Sequence, residues 1–474
     1  MALAFGVVAA ALVIAVDIFP IITNDSLAYI GHSNSLVTTG FIQIGYRQFG
    51  YPFFLASVDT MASLVHLEPL LATVLLQRLV YLSAVAFAVW LWRWRAIPLV
   101  VLAIVPSLLT YTNFILTEGI AIGLVAWYAV LVALVVRLGS SSSDGVPGYP
   151  RISLRAAGIL ASLVYVLLAL IRFQYALLII GVLGVWYVMY RAGGKVRTAS
   201  IVTSVSVVLL LSLFFGAVTL ENGRELGAFS PSARGERSRF WATWQVAFTL
   251  NPENRSNVVL AQFYGDGSPY TFMGSVDSLP SYADQQHAYA EAMEGVIDGM
   301  NTTWATQRLA SAIGVLEGGR IDDVRSMVQA ASQAQFDSIE ESMFRARPIR
   351  EEGIGYFIDR YNDGKRVQPL ILSPLAPLRT FPYFVSILRW MLLSAIGVLL
   401  VGLFVRLSRL LAWIGILTLL STVAVFGYLL MDNVRFILVP LLFVLFAATG
   451  VGDILWRQYR SRRIRPVRSA ESSG

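Results

Sequence analysis

The chain has 474 residues, 56% apolar and only 14% charged, with a mean hydropathy of +0.66. Soluble domains run nearer one quarter charged, so the composition points away from a string of soluble domains and toward a polytopic membrane protein. The formal charge of +7 is unevenly spread, because residues 221–379 hold 20 of the 29 acids against 15 bases. Most of the remaining 21 bases lie in short loops between apolar runs, a membrane-loop distribution that disfavours a nucleic-acid surface.

There is no cysteine, which excludes disulfides and thiolate catalysis. The three histidines, His32, His66 and His287, lack metal-ligand spacing. The first apolar stretch, 2–22, has neither a basic leading region nor a small-residue cleavage site, so it is expected to remain as a helix. After it comes a polar island, Thr23 to Pro52, with one acid (Asp25), one arginine (Arg47) and one histidine (His32). Apolar runs at 69–91, 97–113, 117–137, 156–172, 174–190, 198–220, 383–405, 410–431 and 434–453 complete an expected set of about ten crossings.

The stretch 51–67 is apolar but holds Asp59, and a carboxylate in mid-membrane costs about 2.5–3.5 kcal/mol. If it does not cross, sixteen basic residues share one side: Arg93, Arg95, Arg137, Arg151, Arg155, Arg191, Lys195, Arg197, Arg406, Arg409 and six in the tail from Arg457 to Arg468. That side is the cytoplasm by the positive-inside rule. The stretch 51–67 is therefore expected to be an interfacial or re-entrant helix within an outer loop, 23–69. The expected organisation is a transmembrane module 1–220, a mainly helical extracytoplasmic domain 221–380, C-terminal membrane helices 381–453 and a basic cytoplasmic tail 454–474. Four prolines between Val367 and Pro382 are expected to forbid regular helix there. The Ser/Gly-rich loop 139–150 reads as a linker.

On the outer side the chemistry narrows to a few residues. Asp25 is either a helix N-cap or a base, and Glu118 opens an otherwise uncharged helix, where an acid also complements the helix dipole. Arg172 interrupts a long apolar run and must find an anion or snorkel to water. Arg435 stands next to Asp432, a local ion-pair alternative, and Arg47 precedes Tyr51-Pro52. Arg78 and Arg389 lie inside helices and should face protein or a cavity. One or two carboxylates with several arginines suit transfer of a sugar from a polyprenyl phosphate. The phosphate leaves as a stable anion, so one base suffices, unlike the carboxyl pair of glycoside hydrolysis. Arginines grip the phosphate through charge-assisted forked bonds.

In order along the chain stand Asp25 with Tyr29, GYRQFGYPFFLA, LTEGIAIGL at 116–124 and DNVRFILVPLLFVL at 432–445. This arrangement resembles the GT-C superfamily of polyprenyl-phosphate-sugar-dependent glycosyltransferases, in the branch of protein mannosyltransferases and aminoarabinose transferases. The resemblance covers 1–220 and 383–453. It implies a GT-C-like all-α bundle in the plasma membrane, with an active site on the extracytoplasmic face and a bacterial source. Asp25 would be the base, and Glu118 would stand in the catalytic site to orient substrate. Arg47, Arg172, Arg435, Tyr29 and Tyr51 would bind the lipid-linked donor. The implied partners are a polyprenyl-phosphate sugar, membrane lipid and a glycan, lipid or protein acceptor, and the sequence leaves a divalent metal open. Relatives often carry an acidic pair where Asp25-Ser26 stands, and His-Pro-Pro where Gly50-Tyr51-Pro52 stands. Two other classes remain. An O-antigen ligase or polymerase would place its essential bases in 221–380, and a transporter would show repeated halves with charges at the membrane midplane.

Overall fold

In a computed structural model of the chain, the residues described are 24–39, 49–104, 112–140, 153–226, 377–429 and 434–471, with Pro20 and a few positions between 276 and 292. The expected first helix 2–22, Arg47 and nearly all of the expected domain 221–380 lie outside them. The described chain is built of helices: α1 (Asn24–Thr39), α2 (Gly50–Leu64), α3 (Pro69–Trp92), α4 (Ile97–Ile104), α5 (Thr117–Ser140), α6 (Leu154–Ile171), α7 (Ile179–Arg191), α8 (Gly194–Leu226), α9 (Pro377–Leu403), α10 (Arg409–Leu429) and α11 (Val434–Glu471). Short 3-10 turns, Arg93–Ala96 and Phe173–Leu178, join α3 to α4 and α6 to α7.

Local sequence explains several boundaries. Glu68 caps α3 by accepting the Leu71 amide at 2.5 Å, and Pro69 fills the first helical position, where a missing N–H costs nothing. Ser153 caps α6 through the Ala156 amide at 3.1 Å. In α5, Glu118 occupies the first turn and Arg137 the last, each complementing the helix dipole.

The proline-rich approach to the C-terminal helices differs from expectation. Pro377 begins α9 and Pro382 lies inside it. Pro377 needs no amide partner at the helix start, and Pro382 removes one bond from a helix of 27 residues, so the two are accommodated.

Helix α5 is the centre of the bundle, packed against α3, α6, α7 and α11, with 89% of its apolar window buried. A helix apolar all round belongs at such a position. Helix α8 is the opposite case, since it is equally apolar but only 11% buried. Its Val202, Val205, Leu209 and Leu213 are each more than half exposed, a stripe suited to lipid.

By length and composition five stretches can cross a membrane: 69–100, 117–139, 154–171, 194–221 and 439–460. Three more, Tyr175–Arg191, Trp390–Leu403 and Arg409–Thr422, are apolar but shorter than a full crossing. Five membrane-length helices are what the described residues carry; the expected run 2–22, parts of 97–113 and 410–431, and the side chains at 434–438 lie outside what is described. Helix α2, at 15 residues, is about 22 Å long and too short to span a core of about 30 Å.

The ends of the bundle are chemically distinct. Glu118 and Arg137 are 19 positions apart on α5, which places them about 29 Å apart along the axis. That spacing matches the thickness of a bilayer core. Helix α6 runs back along α5, so Arg172 returns to the Glu118 end and Arg155 to the Arg137 end. Arg95 and Arg137 both pair with Asp453 of α11, which fixes the ends of α3, α5 and α11 together.

Candidate active site

The Glu118 end is organised by a buried polar layer. Gln77, in the third turn of α3, donates from Nε2 to the carbonyls of Thr112 (2.8 Å) and Phe114 (3.2 Å), and its Oε1 accepts from the Tyr51 hydroxyl at 3.2 Å. Arg78 beside it is 1% exposed and donates to Thr112 Oγ1 (3.3 Å) and Asn113 Oδ1 (2.6 Å). These bonds tie the 112–116 turn to α3 and so fix where α5 begins. Gly119 is required for that fit, because a Cβ there would sit 2.6 Å from Gln77 Nε2.

Helix α5 then presents Glu118, which is 2% exposed. Its Oε1 accepts from Arg172 Nη1 in a tight ion pair, and its Oε2 accepts from Thr117 Oγ1 at 2.9 Å. The same Arg172 nitrogen reaches Thr117 Oγ1 at 3.1 Å. Arg172 can do this because it ends α6 in an extended conformation, φ −156° and ψ 121°, which turns its side chain back toward α5.

Three phenols surround the pair. Tyr29 of α1 meets Tyr51 of α2 edge-to-face at 5.1 Å, and Tyr29, Glu118, Arg172 and Tyr175 lie within electrostatic reach of one another. Burial raises the Tyr51 hydroxyl well above its ordinary range, with Tyr29 and Glu118 adding to the effect. Tyr51 therefore stays protonated and serves Gln77 as a donor. The Tyr175 hydroxyl is buried and faces the Arg172 guanidinium and Glu118. Gly50 lets α2 lie directly on the carbonyl of Leu170, which brings Tyr51 beside the end of α6.

The structure thus brings together Tyr29 and Tyr51 of the polar island with Glu118 and Arg172, residues singled out from three separate stretches of the sequence. Asp25 is in α1, one helical turn before Tyr29, and Arg435 is in the first turn of α11; their side chains lie outside what is described. Arg47 lies outside the described residues altogether. Gln77, Thr117 and Tyr175 were not anticipated. A polar Gln-Arg pair inside an apolar helix was the available signal for Gln77. Among the described residues no cluster of three or more His, Asp or Glu is placed to hold a metal ion.

At the other end a second carboxylate is buried. Asp453 is fully buried and accepts from Arg95, from Arg137 at 2.9 Å and from Arg457 Nε at 3.0 Å. The sequence had marked these arginines only as cytoplasmic charges and had not singled out Asp453.

Among the described residues the fold and the site together define an assembly of helices, several of membrane length, with a buried acid–arginine pair, ringed by phenols, at one end. No family model matches it, and neither do the curated proteins or solved structures compared with it.

Proposed function

We propose that the chain is a membrane-embedded glycosyltransferase that moves a sugar from a polyprenyl-phosphate donor to a cell-envelope acceptor on the extracytoplasmic side. The observation that supports this most is the convergence of Tyr29, Tyr51, Glu118 and Arg172 at the end of the bundle where Asp25 also stands in α1.

In this reading Glu118 and Thr117 hold the Arg172 guanidinium at the membrane edge until a lipid phosphate exchanges for part of that pairing. An arginine offers five donors, so it can keep Glu118 and still bind a phosphate oxygen. Arg47 and Arg435 add charge to the same anion, and Tyr29 and Tyr51 line the sugar. The bond from the anomeric carbon to the phosphate oxygen breaks, and the electron pair leaves on the phosphate. The acceptor hydroxyl attacks from the opposite face, its proton passes to Asp25, and the anomeric configuration inverts. The 221–380 domain selects the acceptor.

The test is transfer from a radiolabelled polyprenyl-phosphate sugar to cell-envelope extract, read as released polyprenyl phosphate. Asp25→Asn should abolish release while leaving the unfolding temperature unchanged. Wild-type turnover in Asp25→Asn would contradict the assignment.

A further inference from the structure

The end of the bundle opposite Glu118 holds an open groove of about 260 Å³ between the first turns of α6 and the first three turns of α8. Arg155 and Lys195 stand on its two walls, with the hydroxyls of Thr198 and Thr203 beside them. Ile159 and Val202 supply apolar lining. Among the described residues neither Arg155 nor Lys195 has a carboxylate partner. This contrasts with Arg95 and Arg137 at the same end, which are used up on Asp453. Arg155 and Lys195 each sit in the first turn of a helix, where the dipole disfavours positive charge. Two exposed like charges lining one open groove, each against its own helix dipole, suit an anion placed between them.

The surroundings specify what kind of anion. Leading away from the groove along α6 are Leu160, Leu163 and Leu167, and along α8 are Val202, Val205 and Leu209, all 47% exposed or more. The two helices pack against each other, so the stripes flank one apolar seam. A ligand with an anionic head and long hydrocarbon chains satisfies both parts, and basic pockets between membrane helices bind such headgroups. We propose that this groove binds the phosphate of an anionic phospholipid, whose acyl chains lie along the α6–α8 seam. Arg155 and Lys195 pair with the phosphate oxygens, and Thr198 and Thr203 donate hydroxyl hydrogen bonds to them. This site is separate from the proposed active site. It rests on the membrane-length helices and not on the glycosyltransferase reading, so either can fail alone.

Native mass spectrometry of the full chain in neutral detergent, titrated with phosphatidylglycerol and separately with phosphatidylcholine, reads the affinity for the first bound lipid. The wild type should prefer phosphatidylglycerol. Arg155→Gln with Lys195→Gln should weaken that binding about thirtyfold, as expected for two basic groups near a lipid phosphate. Arg155→Lys with Lys195→Arg should keep it, which controls for folding. Arg191→Gln with Arg197→Gln removes the same charge from the same end outside the groove and should also keep it. Equal affinity for the two lipids would overturn the proposal. So would an equal loss in both charge-removing variants, or displacement of the lipid by millimolar inorganic phosphate.

Discussion

The two ends of the bundle bury carboxylates in opposite ways. Glu118 is matched with Arg172 and stands among phenols. Asp453 faces three arginines, from the end of α3, the end of α5 and its own helix, so that group of four carries a net charge of +2. The Asp453 end is a clasp, because its carboxylate joins three helix ends and its surplus charge suits an anionic membrane surface. At the Glu118 end one acid and one arginine pair, and a guanidinium with five donors can keep its acid and still share itself with an incoming anion. The same fold thus buries charge in two ways, as a three-armed clasp between helix ends at one end and as a single acid–arginine pair among phenols at the other.

Breaking the clasp should have the largest structural effect. Asp453→Asn leaves three arginines facing one another without their acid, at a cost of about 3–5 kcal/mol. A large fall in the unfolding temperature of the detergent-solubilised protein is the expected reading, and an unchanged temperature would mean that Asp453 does not hold the helix ends together. Glu118→Gln should cost less, about 2–3 kcal/mol, because Arg172 keeps Thr117 and is partly exposed. Its larger consequence should be functional, with transfer falling at least about tenfold as Arg172 loses its anchor, a drop equivalent to about 1.4 kcal/mol in barrier. Gly119→Ala tests the layer beneath. A methyl group pressed on Gln77 should cost about 1–3 kcal/mol and shift Glu118, so transfer and stability fall together. If stability falls while transfer is untouched, that layer does not position the site.

Much of this was legible in the sequence. Long apolar runs gave the helices, and their interruption by single charged residues drew attention to Glu118 and Arg172, which the structure joins. Tyr29 and Tyr51 stood out through their neighbours in the polar island. What could not be read was which residue meets which. Arg172 reaches Glu118 across 54 positions, a pairing set by how α6 lies on α5. Asp453 escaped notice because one acid in an apolar run near a basic tail resembles a membrane boundary, and its three partners had already been counted as loop charges. Gln77 was missed for a related reason: it carries no charge, yet it makes three buried hydrogen bonds. The helical run through Pro382 shows the reverse error, in which a proline rule outweighed the tolerance of a long helix for one lost bond.

The most direct test of the central claim is an experimental structure of the chain with polyprenyl phosphate bound. The phosphate is expected within hydrogen-bonding distance of the Arg172 guanidinium, on the side of α1 that carries Asp25, with the tail running into the apolar bundle. A phosphate found instead at the Asp453 end, with the Arg172–Glu118 pair untouched, would contradict it.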